Sequence, residues 1–307
     1  MNKSFLALAV LTFAATAASA QSSVTVYGKV DLGFRKAVGS DNKEIATGSD
    51  GRLGFRGTED LGGGLRAFFA IEHRFFPNTG AQDGAQFWKG VSRVGLGGAW
   101  GQVALGRQQL ASFSLIQDQI DPFGGDTVAQ LRDVSFRPAG IARTRVDNSI
   151  RYDYSIGGVN LAASIAEAAP NGGPDRPTSV GVNYRAGPLF VGVGYEDPAG
   201  ANDQIAHFGG AYTLGAATLS AGYAKGKTNA NVTAKGVMVG LNLALGPGEL
   251  KAAVGTQKQG STTTVKKVGL GYHYALSKRT TIYTDVGHDS KAVTAKTGYD
   301  LGLKHTF

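Results

Sequence analysis

Leu301-Gly302-Leu303-Lys304-His305-Thr306-Phe307 is the stretch that decides the fold. Leu301, Leu303 and Phe307 share one parity, while Gly302, Lys304 and Thr306 occupy the other. A period of two is that of a strand with one apolar face. The same alternation sets Val237, Val239, Leu241, Leu243 and Leu245 against Gly236, Met238, Gly240, Asn242 and Ala244. It sets Val268, Leu270, Tyr272 and Tyr274 against Lys267, Gly269, Gly271 and His273. No helical stripe of useful length competes. A chain made of such strands, ending on an aromatic residue and containing no cysteine, points to an outer-membrane β-barrel.

The amino-terminus agrees. Met1 to Ala20 carries Lys3, an uncharged apolar stretch from Phe5 to Ala17, and a small-x-small ending, Ala18-Ser19-Ala20. This is the pattern of a cleaved export signal, so 1–20 is expected to be removed and 21–307 to form the barrel domain. The stretch is shorter than the roughly 18 residues a spanning helix needs. After Ala20 every hydrophobic segment is broken by Gly or a charge, which excludes helical spans. The 46 Gly with only 9 Pro lack a Gly-X-Y period, so glycine punctuates strands and turns. With 31 Lys+Arg against 23 Asp+Glu the chain is +8. Without Lys3 that becomes 30 against 23, or +7, which favours anionic partners. The basic residues are dispersed singly, so nucleic acid is not an expected partner. Absent cysteine excludes disulfides and thiolate metal sites.

Short joins are expected at 59–64, 97–101, 155–158, 186–188, 214–216, 246–248 and 277–279, seven in all. Eight longer, polar joins alternate with them, at 36–51, 77–85, 108–145, 169–178, 197–203, 227–234, 259–263 and 289–297. Fifteen joins imply 16 antiparallel strands with both termini on the short-turn side. A soluble sandwich rarely sustains such asymmetry, whereas a bacterial barrel has short periplasmic turns, long outer loops and an even strand number. In lipid, closure satisfies every backbone donor, and about sixteen strands leave an aqueous channel. Phe34, Trp88, Tyr195, Tyr212, Tyr223, Tyr272, Tyr274 and Phe307 suit the interface girdles.

Five segments together carry a family resemblance: Ser22 to Gly28 (SSVTVYG), Gly51 to Leu65 (GRLGFRGTEDLGGGL), Ser92 to Arg107 (SRVGLGGAWGQVALGR), Asn148 to Asp153 (NSIRYD) and the terminal LGLKHTF. The chain resembles the trimeric general porins of beta-proteobacteria, the neisserial and Burkholderia-type group, over essentially its whole mature length. It departs after Asp153, where the family commonly has Ser-Pro-Glu-Phe and this chain has Tyr154-Ser155-Ile156-Gly157-Gly158. The resemblance implies a homotrimer of 16-stranded barrels, each with its third long loop folded into the pore, passing small anionic or neutral hydrophilic solutes across the cell outer membrane. It implies lipopolysaccharide and other outer-membrane lipids as surroundings, and a barrel assembly machinery that reads Phe307.

Parity nominates the pore lining. Leu53 and Phe55 facing lipid turn Arg52 and Arg56 inward; Val94 and Leu96 do the same for Arg93, and Ile150 and Tyr152 for Arg151. A guanidinium in midplane hydrocarbon costs about 2–4 kcal/mol, so the assignment is energetically forced. The resembling porins carry an arginine cluster at positions filled here by Arg56, Arg93 and Arg151. Lys29, Arg35, Arg66, Arg74, Arg185, Lys251, Lys267 and Lys304 share the inward parity. The connection from Gln108 to Arg145 is too long for a plain hairpin and is expected to constrict the pore. Asp118, Asp121, Asp126 and Asp133 on it could face the arginines. Such a pair of walls favours anions through persistent guanidinium charge.

Other signals carry less. Ala221 to Thr228 matches a P-loop loosely but lacks the first glycine and a following helix. Asn231-Val232-Thr233 is a sequon of loop composition. His73, His207, His273, His288 and His305 show no ligand spacing, so neither a metal site nor a cofactor is expected. No Gly-x-Ser-x-Gly elbow occurs. A barrel enzyme and a surface adhesin stay open as other classes, and neither is expected; bilayer conductance separates them from a channel.

Overall fold

The computed structural model describes residues 23–307; the expected signal over 1–20 and the start at Gln21 lie outside the described residues. Sixteen strands form the wall. They are β1 Ser23–Lys36, β2 Gly51–Gly62, β3 Leu65–Phe76, β4 Val91–Gly98, β5 Gly101–Gln109, β6 Arg145–Ile156, β7 Val159–Ala166 and β8 Thr178–Ala186. They continue as β9 Leu189–Asp197, β10 Gln204–Leu214, β11 Ala217–Lys227, β12 Thr233–Leu245, β13 Gly248–Gln259, β14 Thr262–Ala275, β15 Thr280–Asp289 and β16 Thr297–Thr306. Two short strands, Lys43–Ala46 and Ala81–Gln82, decorate the first two long loops.

Every neighbour in the wall is antiparallel, and β1 closes it by pairing with both β2 and β16. The closure reaches the last residue: the Gly28 N–H donates to the Phe307 carbonyl at 2.9 Å, and the Phe307 N–H donates back to Gly28 at 3.1 Å. The Phe307 ring covers Gly28 so closely that any side chain there would collide with it. Among the described residues the sixteen-strand wall has no unpaired edge, as hydrocarbon demands.

All seven short turns lie where the sequence places them, six on glycine and one on Ser277-Lys278-Arg279. The eight long joins need three revisions. The second runs on to residue 90, because Val91 is the first residue to pair with β3. Lys89 and Trp88 therefore belong to the loop. The seventh is only the two residues between Gln259 and Thr262, with Gly260 at φ +57°. The third begins after Gln109 and contains two short helices, Ala111–Leu115 and Arg132–Phe136. After Asp153, where the chain departs from the porin pattern, β6 simply continues to Ile156 and turns through Gly157-Gly158.

Aliphatic side chains cover the outside: Leu53, Val94, Leu105, Ile150, Val193, Val239, Leu270 and Leu301 are all exposed. Alternate positions facing inward are mostly charged, polar or small, with Phe190, Ile205 and Met238 as large apolar exceptions. Among the described residues the larger of two buried apolar clusters lies inside the barrel, the smaller being Leu110, Phe113, Val146 and Ala166. Ile116, Ile120, Phe123, Leu131 and Phe136 of the third loop pack on Phe190, Ile205 and Met238 of the wall.

That core explains the run of inward glycines. An added Cβ at Gly194, Gly209, Gly222 or Gly255 would meet Ile116, Ile120, Phe136 or Leu131. Small residues on β8 to β15 thus form the bed on which the loop rests. Polar ties complete the seat. Glu196, fully buried on β9, accepts from Ser112 Oγ at 2.9 Å and from the Arg143 N–H at 2.6 Å. His207 contacts the Phe136 carbonyl at 3.1 Å, and the Asn183 amide donates to the Leu115 carbonyl at 2.9 Å. Lys251 and Lys267 donate to the carbonyls of Pro122 and Gln130, and Asp300 accepts from the Val128 N–H.

Candidate functional site

Because the third loop lies against β7 to β16, the opposite wall stays open. Strand register decides what that wall shows. Arg56 on β2 stands opposite Ala70 on β3, which stands opposite Arg93 on β4. Two inward positions toward the long-loop side, Lys29, Arg52 and Arg74 form a second lateral row. In the second row like charges stand directly across the ladder and repel, whereas Ala70 separates Arg56 from Arg93 in the first.

The arginines of both rows share one cavity of about 380 Å³. Its lining brings together Arg52, Arg56, Arg74, Arg93 and Arg151, five of the arginines nominated by parity and resemblance, while Arg35, Arg66 and Arg185 lie outside it. Arg145 joins them from the end of the third loop, and Glu72 and Asp153 are the carboxylates. Six guanidiniums against two carboxylates leave four charges uncompensated.

The compensation is local. Arg151 Nε and Nη2 both bind Asp153, at 3.0 and 2.6 Å, and Nη1 donates to the Gln109 carbonyl at 2.9 Å. Arg74 lies between Glu72 at 2.7 Å and Asp50 at 3.3 Å. Among the described residues Arg52, Arg56, Arg93 and Arg145 have no carboxylate within ion-pair distance. Arg56 lies over the Tyr27 ring at 5.2 Å and Arg93 over Phe68 at 5.8 Å. These contacts hold the planar groups in place without cancelling charge. Arg145 Nε donates to the Gly90 carbonyl at 2.6 Å.

The loop acids divide. Asp121 is turned into its own loop, where it accepts from the backbone N–H groups of Phe123, Gly125, Leu131 and Arg132. Burial pushes its carboxyl up, opposed by those four donors. Asp118 pairs with Arg132 at 2.8 Å, again within the loop. Burial raises its carboxyl too, while Arg132 lowers it. Asp133 pairs with Arg132 and Arg137. Asp126 alone reaches a wall residue of the cationic rows, standing 3.7 Å from Lys29.

Glu72, Asp153 and Arg145 escaped the sequence reading of the site. Glu72 and Asp153 carry the inward parity of Arg74 and Arg151, so the same rule finds them once acids are sought on the wall as well as on the loop. Arg145 sits at the first residue of β6, where alternation has barely begun, and only the register reveals it.

An arginine-lined cavity inside a closed, lipid-faced barrel of sixteen strands is the architecture of a channel. The model of the Gram-negative porin family matches residues 7–292. The chain belongs to that family. Outer membrane porin protein 32 of Delftia acidovorans is 33% identical over the full length of both chains. The major outer membrane protein P.IB of Neisseria meningitidis serogroup B is 30% identical over 63% of this porin and 58% of its own length. Among solved structures, an anion-selective porin from Comamonas acidovorans superposes with a TM-score of 0.81 at 28% identity, covering 94% of this chain and 100% of that one. OmpT of Vibrio cholerae, solved in a trimer form, shares the fold at a TM-score of 0.74 and 14% identity, over 93% of this chain and 99% of its own. This porin is therefore an outer-membrane channel protein like those relatives, with its arginine-lined wall opposite the loop.

Proposed function

We propose that this porin is a passive, water-filled channel for small hydrophilic solutes, with a preference for anions set by the wall of Arg52, Arg56, Arg74, Arg93 and Arg151. The observation that carries the reading is the excess of four guanidiniums in one cavity. Guanidiniums stay charged beside one another, so the field persists at any physiological pH and concentrates anions at the narrow part. The third loop supplies the facing wall, with Asp126 the carboxylate nearest the cationic rows and Asp118 and Asp121 engaged in holding the loop's own shape.

The Comamonas relative, described as anion-selective, supports the same sign of selectivity. The working unit is a homotrimer in the Gram-negative outer membrane, in line with the trimer form of OmpT. Phe307 is the residue that assembly machinery would recognise. Passage driven by a gradient uses no cofactor and no catalytic residue.

Reversal potentials across a planar bilayer in a salt gradient test the reading. The parent should report an anion preference, and the triple variant Arg56→Gln/Arg93→Gln/Arg151→Gln should move the potential toward cations. An unchanged potential removes these arginines from the mechanism.

A further inference from the structure

The first long loop also enters the lumen. β1 pairs with β2 as far as Lys29 opposite Arg52, and with the short strand Lys43–Ala46 from Gly33 opposite Ala46 onward. Between those points five residues, 47–51, stand against three, 30–32, so the surplus chain leaves the ladder as a bulge does. It turns inward as a finger. Gly48 lies against the Tyr283 hydroxyl on β15, where any side chain would collide with it. The Gly48 carbonyl accepts from the Thr127 N–H of the third loop at 2.9 Å. Ser49 is buried and donates to Asp31 at 2.5 Å, and Tyr283 donates to the other oxygen of the same carboxylate at 2.6 Å. Asp31 is itself buried, and among the described residues no cation lies within ion-pair distance of it. A buried carboxylate depends on its donors, and here both are hydroxyls that fix the finger.

The finger delivers a charge. Asp50 follows Ser49, is exposed, and reaches Arg74 Nη1 at 3.3 Å. Arg74 is one end of the row formed with Arg52 and Lys29, and at the other end Lys29 stands 3.7 Å from Asp126 of the third loop. The row nearer the long loops is thus flanked by an acid at each end, one from each of two loops. The bond from Thr127 to Gly48 ties those loops together one and two residues from the acids. Behind the finger a hollow of about 440 Å³, lined by Arg35, Phe76 and Asn78 among others, leaves it room to withdraw.

We propose that residues 47–50 are a selectivity element of the pore. Asp50 moderates the anion preference at the outer entrance by offsetting the charge of Arg74, and Ser49 and Tyr283 are positioning residues that hold it there through Asp31. A carboxylate beside a cationic row weakens the field that a passing anion meets. The inference rests on the channel reading above and adds to it a second loop, whose acid the third loop does not supply.

Reversal potentials of the full, assembled protein in a planar bilayer at low ionic strength test it. Asp50→Asn should raise the anion-to-cation permeability ratio about twofold or more, and Asp50→Glu should hold it at the parent value. Ser49→Ala/Tyr283→Phe, which takes both hydroxyls from Asp31, should raise the ratio in the same direction. Combined with Asp50→Asn it should add nothing, a loss of additivity that a merely structural role would not produce. Because the chain lacks cysteine, Asp50→Cys supplies a single thiol at an exposed position, whether or not the hydroxyl variants fold. A sulfonate-bearing thiol reagent added from the long-loop side should return its ratio to the parent's, and an ammonium-bearing one should raise it further. An unchanged ratio in Asp50→Asn, indifference of Asp50→Cys to the sign of the reagent, or an additive effect of the hydroxyl variants would each overturn the proposal. A parent without anion preference would instead fail the channel reading, while the direction of the change at Asp50 would still judge the finger.

Discussion

Arg93→Gln is the sharpest probe of the charged wall. A sphere of the cavity's volume, about 380 Å³, has a radius of about 4.5 Å, which sets the distance between a centred ion and the lining guanidiniums. In water-filled surroundings one unit charge at that distance contributes about 0.9 kcal/mol. Screening at 0.1 M salt, with a Debye length of about 10 Å, reduces this to about 0.6 kcal/mol. Removing the charge should lower local anion occupancy about 2.7-fold and raise that of cations equally, so the anion-to-cation permeability ratio falls about sevenfold. At 1 M salt, where the Debye length is about 3 Å, the same substitution should change the ratio only about twofold. Reversal potentials at the two ionic strengths read both numbers. Arg151 provides the internal control, because its charge is paired with Asp153. The double variant Arg151→Gln/Asp153→Asn removes a neutral pair and should leave the ratio within about twofold. A salt-independent effect of Arg93→Gln, or an equal effect of the double variant, would refute the electrostatic reasoning.

Further outcomes follow from the same contacts. Asp126→Asn, which removes the loop acid nearest the cationic rows, should raise the anion preference by up to the sevenfold worked above, again by reversal potential. Phe136→Ala empties a fully buried site on the bed at Gly222 and should cost loop seating about 3–5 kcal/mol. Limited proteolysis within 110–144 should then appear while the barrel stays resistant; equal resistance to the parent would count against the apolar seat. Asp121→Ala leaves four backbone donors without their acceptor, at about 1–3 kcal/mol for each that stays buried. It should broaden single-channel conductance, whereas Asp121→Asn, which keeps an acceptor oxygen, should broaden it less. Phe307→Ala should reduce the yield of folded barrel after refolding while leaving the conductance of the assembled fraction unchanged.

The wall was legible in the sequence because lipid outside and water inside impose opposite demands on successive residues. Leu53 and Phe55 against Arg52 and Arg56 state that demand in five residues. Turns were legible where glycine or proline breaks the alternation, as at Gly246-Pro247. The hairpin between Gln259 and Thr262 was placed but taken as too long, since Lys258 to Thr264 lies beyond the apolar band, where both faces can be polar and a strand loses its period. The seating of the third loop was hidden for another reason. Its residues obey no repeat, and Ile116, Leu131 and Phe136 become a core only through glycines more than sixty residues away. The loop acids show the limit of composition: Asp118, Asp121 and Asp126 look alike in sequence, and only the backbone around Asp121 and the guanidinium of Arg132 give them different duties.

The buried seam between the third loop and β8 to β15 makes the bore eccentric. With that side of the lumen occupied by the loop and its seat, a solute following the proposed route would be displaced from the barrel axis toward β2 to β6. A dipolar molecule crossing there meets cations on one flank only, so it is turned with its electron-rich end toward the strands before it moves on. Passage thereby becomes a matter of posture as well as of size, and two isomers of equal bulk should cross at different speeds.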